Sequence, residues 1–293
     1  MSGSKAMRAS DSRSRLLGLL VLAVAFASPS VLAEGEESLA KQSQNPVADV
    51  VSVPFENNVL FGLGPSDSHA YVLNVKPVYP VRLGKLNLIN RLILPVIYAE
   101  GQDVTLSEEQ AQLLGFGGEI RLANGSAFGL GDTTYQAFFS PAEPGKVIWG
   151  VGPAFVFPTA TENRFASDKW SAGLAAVALA MPGRWVVGAL VQNVWSFAGD
   201  GGADDVNQFM VQPFANYNLD GGWYLNTSPV ITANWEADGS DQWTVPLGMG
   251  IGRLVKHGRQ PIDYRLAAYS NIQGPSFGSD WSLQLTIKLL FPK

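Results

Sequence analysis

The run WYLNTSPVITANW, from Trp223 to Trp235, places two indoles twelve residues apart on one face of a period-2 pattern. That face also carries Leu225, Thr227, Pro229, Ile231 and Ala233, and the reverse face carries Tyr224, Asn226, Ser228, Val230, Thr232 and Asn234. At ~3.3 Å per residue the indoles stand ~40 Å apart along an extended chain, and a ~45° tilt projects this to ~28 Å, near the apolar height of a membrane barrel. An aromatic at each end of one face and a polar reverse face describe one stave of a transmembrane β-barrel.

The same device recurs. From Trp281 to Phe291 the chain sets Trp281, Leu283, Leu285, Ile287, Leu289 and Phe291 against Ser282, Gln284, Thr286 and Lys288. Such long two-sided alternation fits one face in lipid and one in a polar interior. A terminal strand ending in an aromatic also suits barrel-assembly machinery, although Pro292 and Lys293 follow here. Similar runs occupy about 69–81, 86–99, 130–140, 146–158, 169–181, 184–198, 207–219, 222–235, 242–255 and 261–272. Tight, turn-rich connections alternate with longer ones at 101–129, 159–168, 199–206, 236–241 and 274–280. Short periplasmic turns with longer outer loops give an even strand count, so parity asks for one more strand before His69. Val51 to Phe61 is the candidate, with a short N-terminal plug as its rival because Asn45 to Pro54 also suits a helical turn.

The expectation is therefore an all-β, antiparallel, up-and-down barrel of twelve strands. Two features oppose it locally. Pro77, Pro80, Pro95, Pro153, Pro213, Pro229 and Pro246 fall inside expected strands, where each forfeits a ladder bond, so they belong at bulges or strand ends. The Ala- and Leu-rich segment Ala172 to Met181 has helical propensity but is flanked by strands on both sides.

The N-terminus supplies an export route. Lys5, Arg8, Arg13 and Arg15 precede an apolar run from Leu16 to Phe26, and Val31-Leu32-Ala33 offers a cleavage site. Residues 1–33 read as a signal peptide, 34–50 as a periplasmic N-terminal segment and 51–293 as the barrel. Losing four basic residues and one acidic one takes the formal charge from −5 to −8, which opposes nucleic acid as a partner. The absence of cysteine removes disulfide and thiolate chemistry.

Alternation sends a polar set inward: Asn74, Lys76, Arg91, Gln136, Gln192, Gln208, Gln212, Asn216, Asn226, Asp263, Arg265, Asn271, Gln284 and Lys288. Within it Lys76, Arg91, Gln192, Gln212, Asn226, Asp263, Arg265 and Lys288 are the lumen-lining candidates. Asp263 alone is too little acid to neutralise the cations, which leaves room for an anionic solute, while polar side chains pairing across a filled interior are the competing reading. Gly150, Gly152, Gly248, Gly250 and Gly252 leave space on the inner wall, either for packing or for a pathway. Thr105 to Leu114 carries a capped helical pattern in the longest connection, which would serve as a gate or lie exposed.

Catalysis fails on inventory. Gly274 to Gly278 matches G-x-S-x-G but lies between strands, with no helix to form the nucleophile elbow. Only His69 and His257 are available as bases, at opposite ends of the expected barrel. No spaced ligand cluster suggests a metal; the acidic loop Gly199 to Asp205 reads as a solvated turn, with a divalent cation shared with lipopolysaccharide phosphates as the lesser alternative, and no cofactor is expected.

Several stretches together resemble a known family: Asn45 to Asp49, Val53 to Asn58, Asn90 to Pro95, Gly129 to Asp132, Phe138 to Pro141, Gly150 to Pro153, Val194 to Gly199, Trp243 to Gly248 and Leu289 to Lys293. They are similar to the bacterial transporter-like outer-membrane family labelled for the MetA pathway of phenol degradation, some members of which are misnamed neuromedin U. The resemblance implies a Gram-negative outer-membrane barrel and gives the intrastrand prolines a context; it implies no substrate. The functional expectation is a passive or facilitated channel for small solutes, aromatic or otherwise hydrophobic. A structural or adhesive barrel with a filled lumen is the alternative. Outer-membrane lipid, lipopolysaccharide, the barrel-assembly machinery and a small-molecule solute are the expected partners.

Overall fold

The computed structural model describes residues 34–63, 67–100, 104–106, 120–122, 125–237, 239–275 and 278–292. The signal peptide expected over 1–33 lies outside the described residues, as do Ser276 and residues 107–119, which carry most of the helical pattern expected in the longest connection.

A helix, α1 (Glu34–Ser43), precedes the strands. These are β1 (Val51–Leu63), β2 (Ser68–Val75 and Val78–Leu83), β3 (Leu86–Ala99), β4 (Ala127–Leu130 and Thr133–Pro141), β5 (Val147–Phe157) and β6 (Lys169–Ala180). There follow β7 (Trp185–Gly199), β8 (Asn207–Asn218), β9 (Trp223–Thr227 and Ile231–Asn234), β10 (Trp243–His257), β11 (Gln260–Gln273) and β12 (Trp281–Phe291). Each pairs antiparallel with its neighbour, and β1 pairs with β12 from Val51↔Phe291 to Phe61↔Trp281, which closes a twelve-strand barrel. Closure leaves no free sheet edge. A two-stranded hairpin of Val104–Leu106 and Ile120–Leu122 stands apart in the β3–β4 connection.

Alternation decides which face each residue takes. Leu247, Met249 and Ile251 of β10 are exposed outside, and so are Trp281, Leu283 and Phe291 of β12. Aromatics mark both rims of this apolar surface: Phe61 stacks on Trp281 at 4.0 Å and Trp235 meets Trp243 edge-on at 5.6 Å at the loop end, while Trp185 and Tyr217 pair at 4.8 Å at the turn end. Rings there keep an apolar body in lipid beside a polar interface.

Pro77, Pro229 and Pro246 lie at interruptions or register shifts, whereas Pro80, Pro95, Pro153 and Pro213, expected at bulges or strand ends, sit in register within their ladders. The register also shifts at Leu60/Leu63 and Trp170/Ser171 without a proline. Trp223 to Trp235 is interrupted over Ser228, Pro229 and Val230, although the inward parity of Tyr224, Asn226, Thr232 and Asn234 survives the interruption. Between Ala215↔Thr227 and Val211↔Ile231 the β8–β9 register sets Pro213 opposite Pro229. Between Asn226↔Gly250 and Thr232↔Thr244 the β9–β10 ladder also lapses, around Pro246, which sits at a register shift against β11. Three neighbouring strands thus each lose an amide donor at one height, and the wall there forgoes a run of backbone bonds. Pro77 lies in the gap of β2, where Lys76 N–H still donates to Pro54 O at 2.9 Å. The segment Ala172 to Ala180 is strand, paired on both sides in β6.

The stretch from Val51 is the first strand and not a plug, Pro54 included. Val51–Leu63 is β1, and the residues before it turn back into the barrel. Leu39, Ala40 and Val50 pack against Leu254 and Leu290, while Val47 joins Ile89 and Phe138 on the inner wall. Within the stretch set apart in sequence as a periplasmic segment, 34–50, Leu39, Ala40, Ser43, Val47 and Val50 are buried against the lumen wall, while Gln42 and Asp49 stay exposed.

Candidate functional site: the lumen

Two adjoining cavities occupy the interior. The one nearer the turn end has a volume of about 140 Å³, the one nearer the loop end about 90 Å³, and each far exceeds the ~10–15 Å³ that a single water needs. Of the eight lumen candidates, Lys76, Arg91 and Gln212 line both; Asn226, Asp263, Arg265 and Lys288 line the lower one, and Gln192 the upper.

The lower cavity holds the charges. Four cations, Lys76, Arg91, Arg265 and Lys288, share it with two carboxylates, Glu56 and Asp263. Lys76 Nζ lies 2.5 Å from Glu56 Oε1, and Arg265 Nη2 lies 3.5 Å from Glu56 Oε2. Arg265 also donates to Gln284 Oε1 at 2.8 Å and to Thr286 Oγ1 at 3.1 Å. Asp263 is engaged otherwise: it accepts from Tyr224 O–H at 2.8 Å and from Ser43 Oγ at 3.0 Å. Lys288 donates to the Ser43 carbonyl at 2.6 Å. Arg91 meets no carboxylate within ion-pair distance among the described residues; its guanidinium lies 5.9 Å from the centroid of Phe138 and its Nη1 has no hydrogen-bond partner. A buried guanidinium with an idle donor is costly unless something comes to it.

The upper cavity is different. Ile93, Val156, Leu190, Val194, Met210 and Val230 line it, interspersed with amides such as Gln136, which donates to Gln192 Oε1 at 2.6 Å. Beside the cavities, Ile89, Phe138, Ala154, Val177, Val186 and Leu190 form a continuous packed apolar cluster on the inner side of β3 to β7, of which Leu190 reaches the upper cavity. The charges come from β1, β2, β11 and β12, with Arg91 crossing over from β3. The lumen thus has an oily side and a charged side.

Both ends are packed. At the turn end the 39–50 segment is the stopper, held by Ser43 and by a reciprocal amide pair between Gln44 and Asn218 at 2.9 and 3.1 Å. Two inner glycines make room for this arrangement: a Cβ on Gly150 would sit 3.2 Å from Val47, and one on Gly252 would sit 2.1 Å from the Tyr224 ring. Without Gly252, Tyr224 could not cross to Asp263. At the loop end the 158–168 connection folds inward and buries Phe165, 1% exposed, among Leu60, Leu63, Val72 and Ile97. Asp132 anchors it, accepting from Ser167 N–H at 2.9 Å, Ser167 O–H at 2.6 Å and Ala160 N–H at 3.1 Å.

Sequence reasoning missed Glu56, Tyr224, Ser43 and Phe165. Glu56 alternates correctly with Pro54 and Asn58, but it sits in the strand with the weakest pattern. Tyr224 falls on the reverse, inward face of its strand, but an aromatic there does not by itself announce a hydrogen-bonding role. Ser43 and Phe165 lie outside strands, where alternation says nothing. His69 and His257 fall at opposite ends of β2 and β10, and the inner glycines carry packing partners. Among the described residues no group of three or more His, Asp or Glu is disposed to hold a metal. In the acidic loop, Asp205 is held below the usual carboxylate range by the Lys169 ammonium, 3.2 Å away.

No family model and no curated protein matches the chain. Among solved structures, the outer membrane channel from Pseudomonas putida F1 aligns with a TM-score of 0.59 at 16% identity, over 83% of this chain and 94% of that one. A monoaromatic hydrocarbon channel, CymD, aligns at 0.42 and 10% identity, over 90% and 93%. A FadL homologue from Pseudomonas aeruginosa aligns at 0.37 and 10% identity, over 76% and 68%. The first of these shares the fold.

Proposed function

We propose that the chain is an outer-membrane channel, passive or facilitated, for small hydrophobic solutes, aromatic ones included. The observation that carries this is the pair of adjoining cavities with a continuous apolar flank inside a barrel whose outside is apolar and rimmed with aromatics. A barrel built only as a wall has no need of an oily interior beside unsatisfied polar groups. The fold shared with the Pseudomonas putida channel supports the reading, as does the resemblance to the MetA-labelled family. Export through a signal peptide over 1–33, insertion by the barrel-assembly machinery and contact with lipopolysaccharide complete it.

Packing closes both ends of the described state, so passage along the axis requires the 39–50 segment or the 158–168 loop to move. The missing wall bonds between β9 and β10 offer another exit, because Val230 lines the upper cavity from within that stretch. A structural barrel with a filled lumen is the rival reading, and the two packed ends are what favours it. Liposomes separate them: the channel reading expects uptake of small aromatic solutes above protein-free background. Absence of flux and of conductance, in the intact protein and in a variant lacking residues 39–48, would sink it.

A further inference from the structure

We infer that the junction of the two cavities is a binding site for the head group of an amphipathic anion, with its carboxylate or similar compact oxyanion on Arg91 and Lys76 and its apolar body in the upper cavity. This rests on the channel reading and names the solute class within it.

Three observations converge. Charge comes first: four cations line the lower cavity against two carboxylates, neither Arg91 nor Lys288 has a carboxylate within ion-pair distance among the described residues, and of the two Arg91 is the one left with an unpartnered donor. Glu56 serves both Lys76 and Arg265, Asp263 serves Tyr224 and Ser43, and Lys288 is satisfied by a carbonyl. The second is the unused donor, Nη1 of Arg91, in a fork whose planar geometry suits a carboxylate. The third is position: Arg91, Lys76 and Gln212 line both cavities, directly below the apolar positions Ile93, Leu190, Val194 and Met210. A neutral hydrocarbon would fill the upper cavity and leave Arg91 idle. An anion of the same shape would satisfy both.

The test uses the full-length mature protein in nanodiscs, with equilibrium dialysis against radiolabelled phenylbutyrate and, separately, phenylbutanol; empty nanodiscs give the background. A charge-assisted hydrogen bond in a secluded site predicts about ten- to hundredfold tighter binding of the carboxylate. Arg91→Gln removes that preference while leaving alcohol binding in place, Lys76→Gln reduces it, and Arg91→Lys keeps most of it. Heat-modifiable migration on gels confirms that each variant is a folded barrel. Equal binding of the two ligands by the unmodified protein overturns the inference and leaves a channel for neutral solutes standing. A carboxylate preference that survives Arg91→Gln overturns the assignment of the site. Failure of both ligands to bind, with no solute flux in liposomes, overturns the inference together with the channel reading.

Discussion

The Lys288 ammonium donates to the Ser43 carbonyl oxygen across 2.6 Å, so the last strand of the barrel holds the segment that precedes the first. Losing one hydrogen bond of this charged kind costs about 1.5–3 kcal/mol, roughly a ten- to hundredfold change in how often the segment lets go. Lys288→Met should therefore raise the open probability of single channels in planar bilayers by about that factor. An unchanged record would mean that the segment is held elsewhere or does not gate.

The same segment can be locked. A Cβ at Gly150 would lie 3.2 Å from Val47 Cγ1, so the two positions are direct neighbours where the segment meets the wall, and the chain has no cysteine of its own to interfere. Val47→Cys with Gly150→Cys should lose solute flux when oxidised and regain it with reductant. Flux indifferent to redox state would exclude the turn end as the route.

At the other end, Phe165→Ala removes a ring that is 1% exposed, a change worth about 3–5 kcal/mol in a packed core. Because the ring belongs to a loop and not to the ladder, the cost should fall on loop closure. Uptake into liposomes should rise, while the temperature of the heat-modifiable shift stays within a few degrees. Asp132→Ala should act in the same direction, since it releases Ser167 and Ala160 from their shared acceptor.

Glu56→Gln takes away the carboxylate that serves both Lys76 and Arg265. Breaking such a buried pair costs about 3–5 kcal/mol, so the melting temperature should fall. The lower cavity would then hold four cations against one carboxylate. Reversal potentials in a salt gradient should move toward anion selectivity, and a shift toward cations would contradict the arrangement described.

Gly252→Ala introduces a Cβ that would lie 2.1 Å from the Tyr224 ring. Overpacking of this kind costs about 1–3 kcal/mol. The ring must leave Asp263, and Tyr224→Phe should reproduce the polar part of the loss without the steric part. If Gly252→Ala is no less stable than Tyr224→Phe, the close approach is not what the glycine serves.

Strand number and order were legible because alternation is a property of the local chain: Trp281 to Phe291 declares its two faces without help from any neighbour. Parity likewise put Lys76, Arg91, Asp263, Arg265 and Lys288 on one side of the wall. The partners they choose could not be read. Glu56 reaches Arg265 across the β1–β12 seam, from the opposite end of the sequence, and Ser43 reaches Asp263 over 220 positions. The stoppers were illegible for a related reason. Leu39, Val47, Val50 and Phe165 follow neither a period of two nor a clear helical stripe, because they fit a cavity shaped by other strands. The interruption at Pro229 was announced by the proline itself, but its extent depends on Pro213 and Pro246, which only the register brings to the same height.

The seam between β1 and β12 also fixes an order of events. Val51 cannot meet Phe291 until nearly the whole chain has been synthesised, and the stopper is joined directly to Val51. Closure of the seam therefore places the stopper, through Ser43, against Asp263 and Lys288 of the two strands that arrive last. A chain truncated before Trp281 would lack both the strand that β1 pairs with and the lysine that holds Ser43, so a single missing strand would undo the seam and the anchor of the inner segment together.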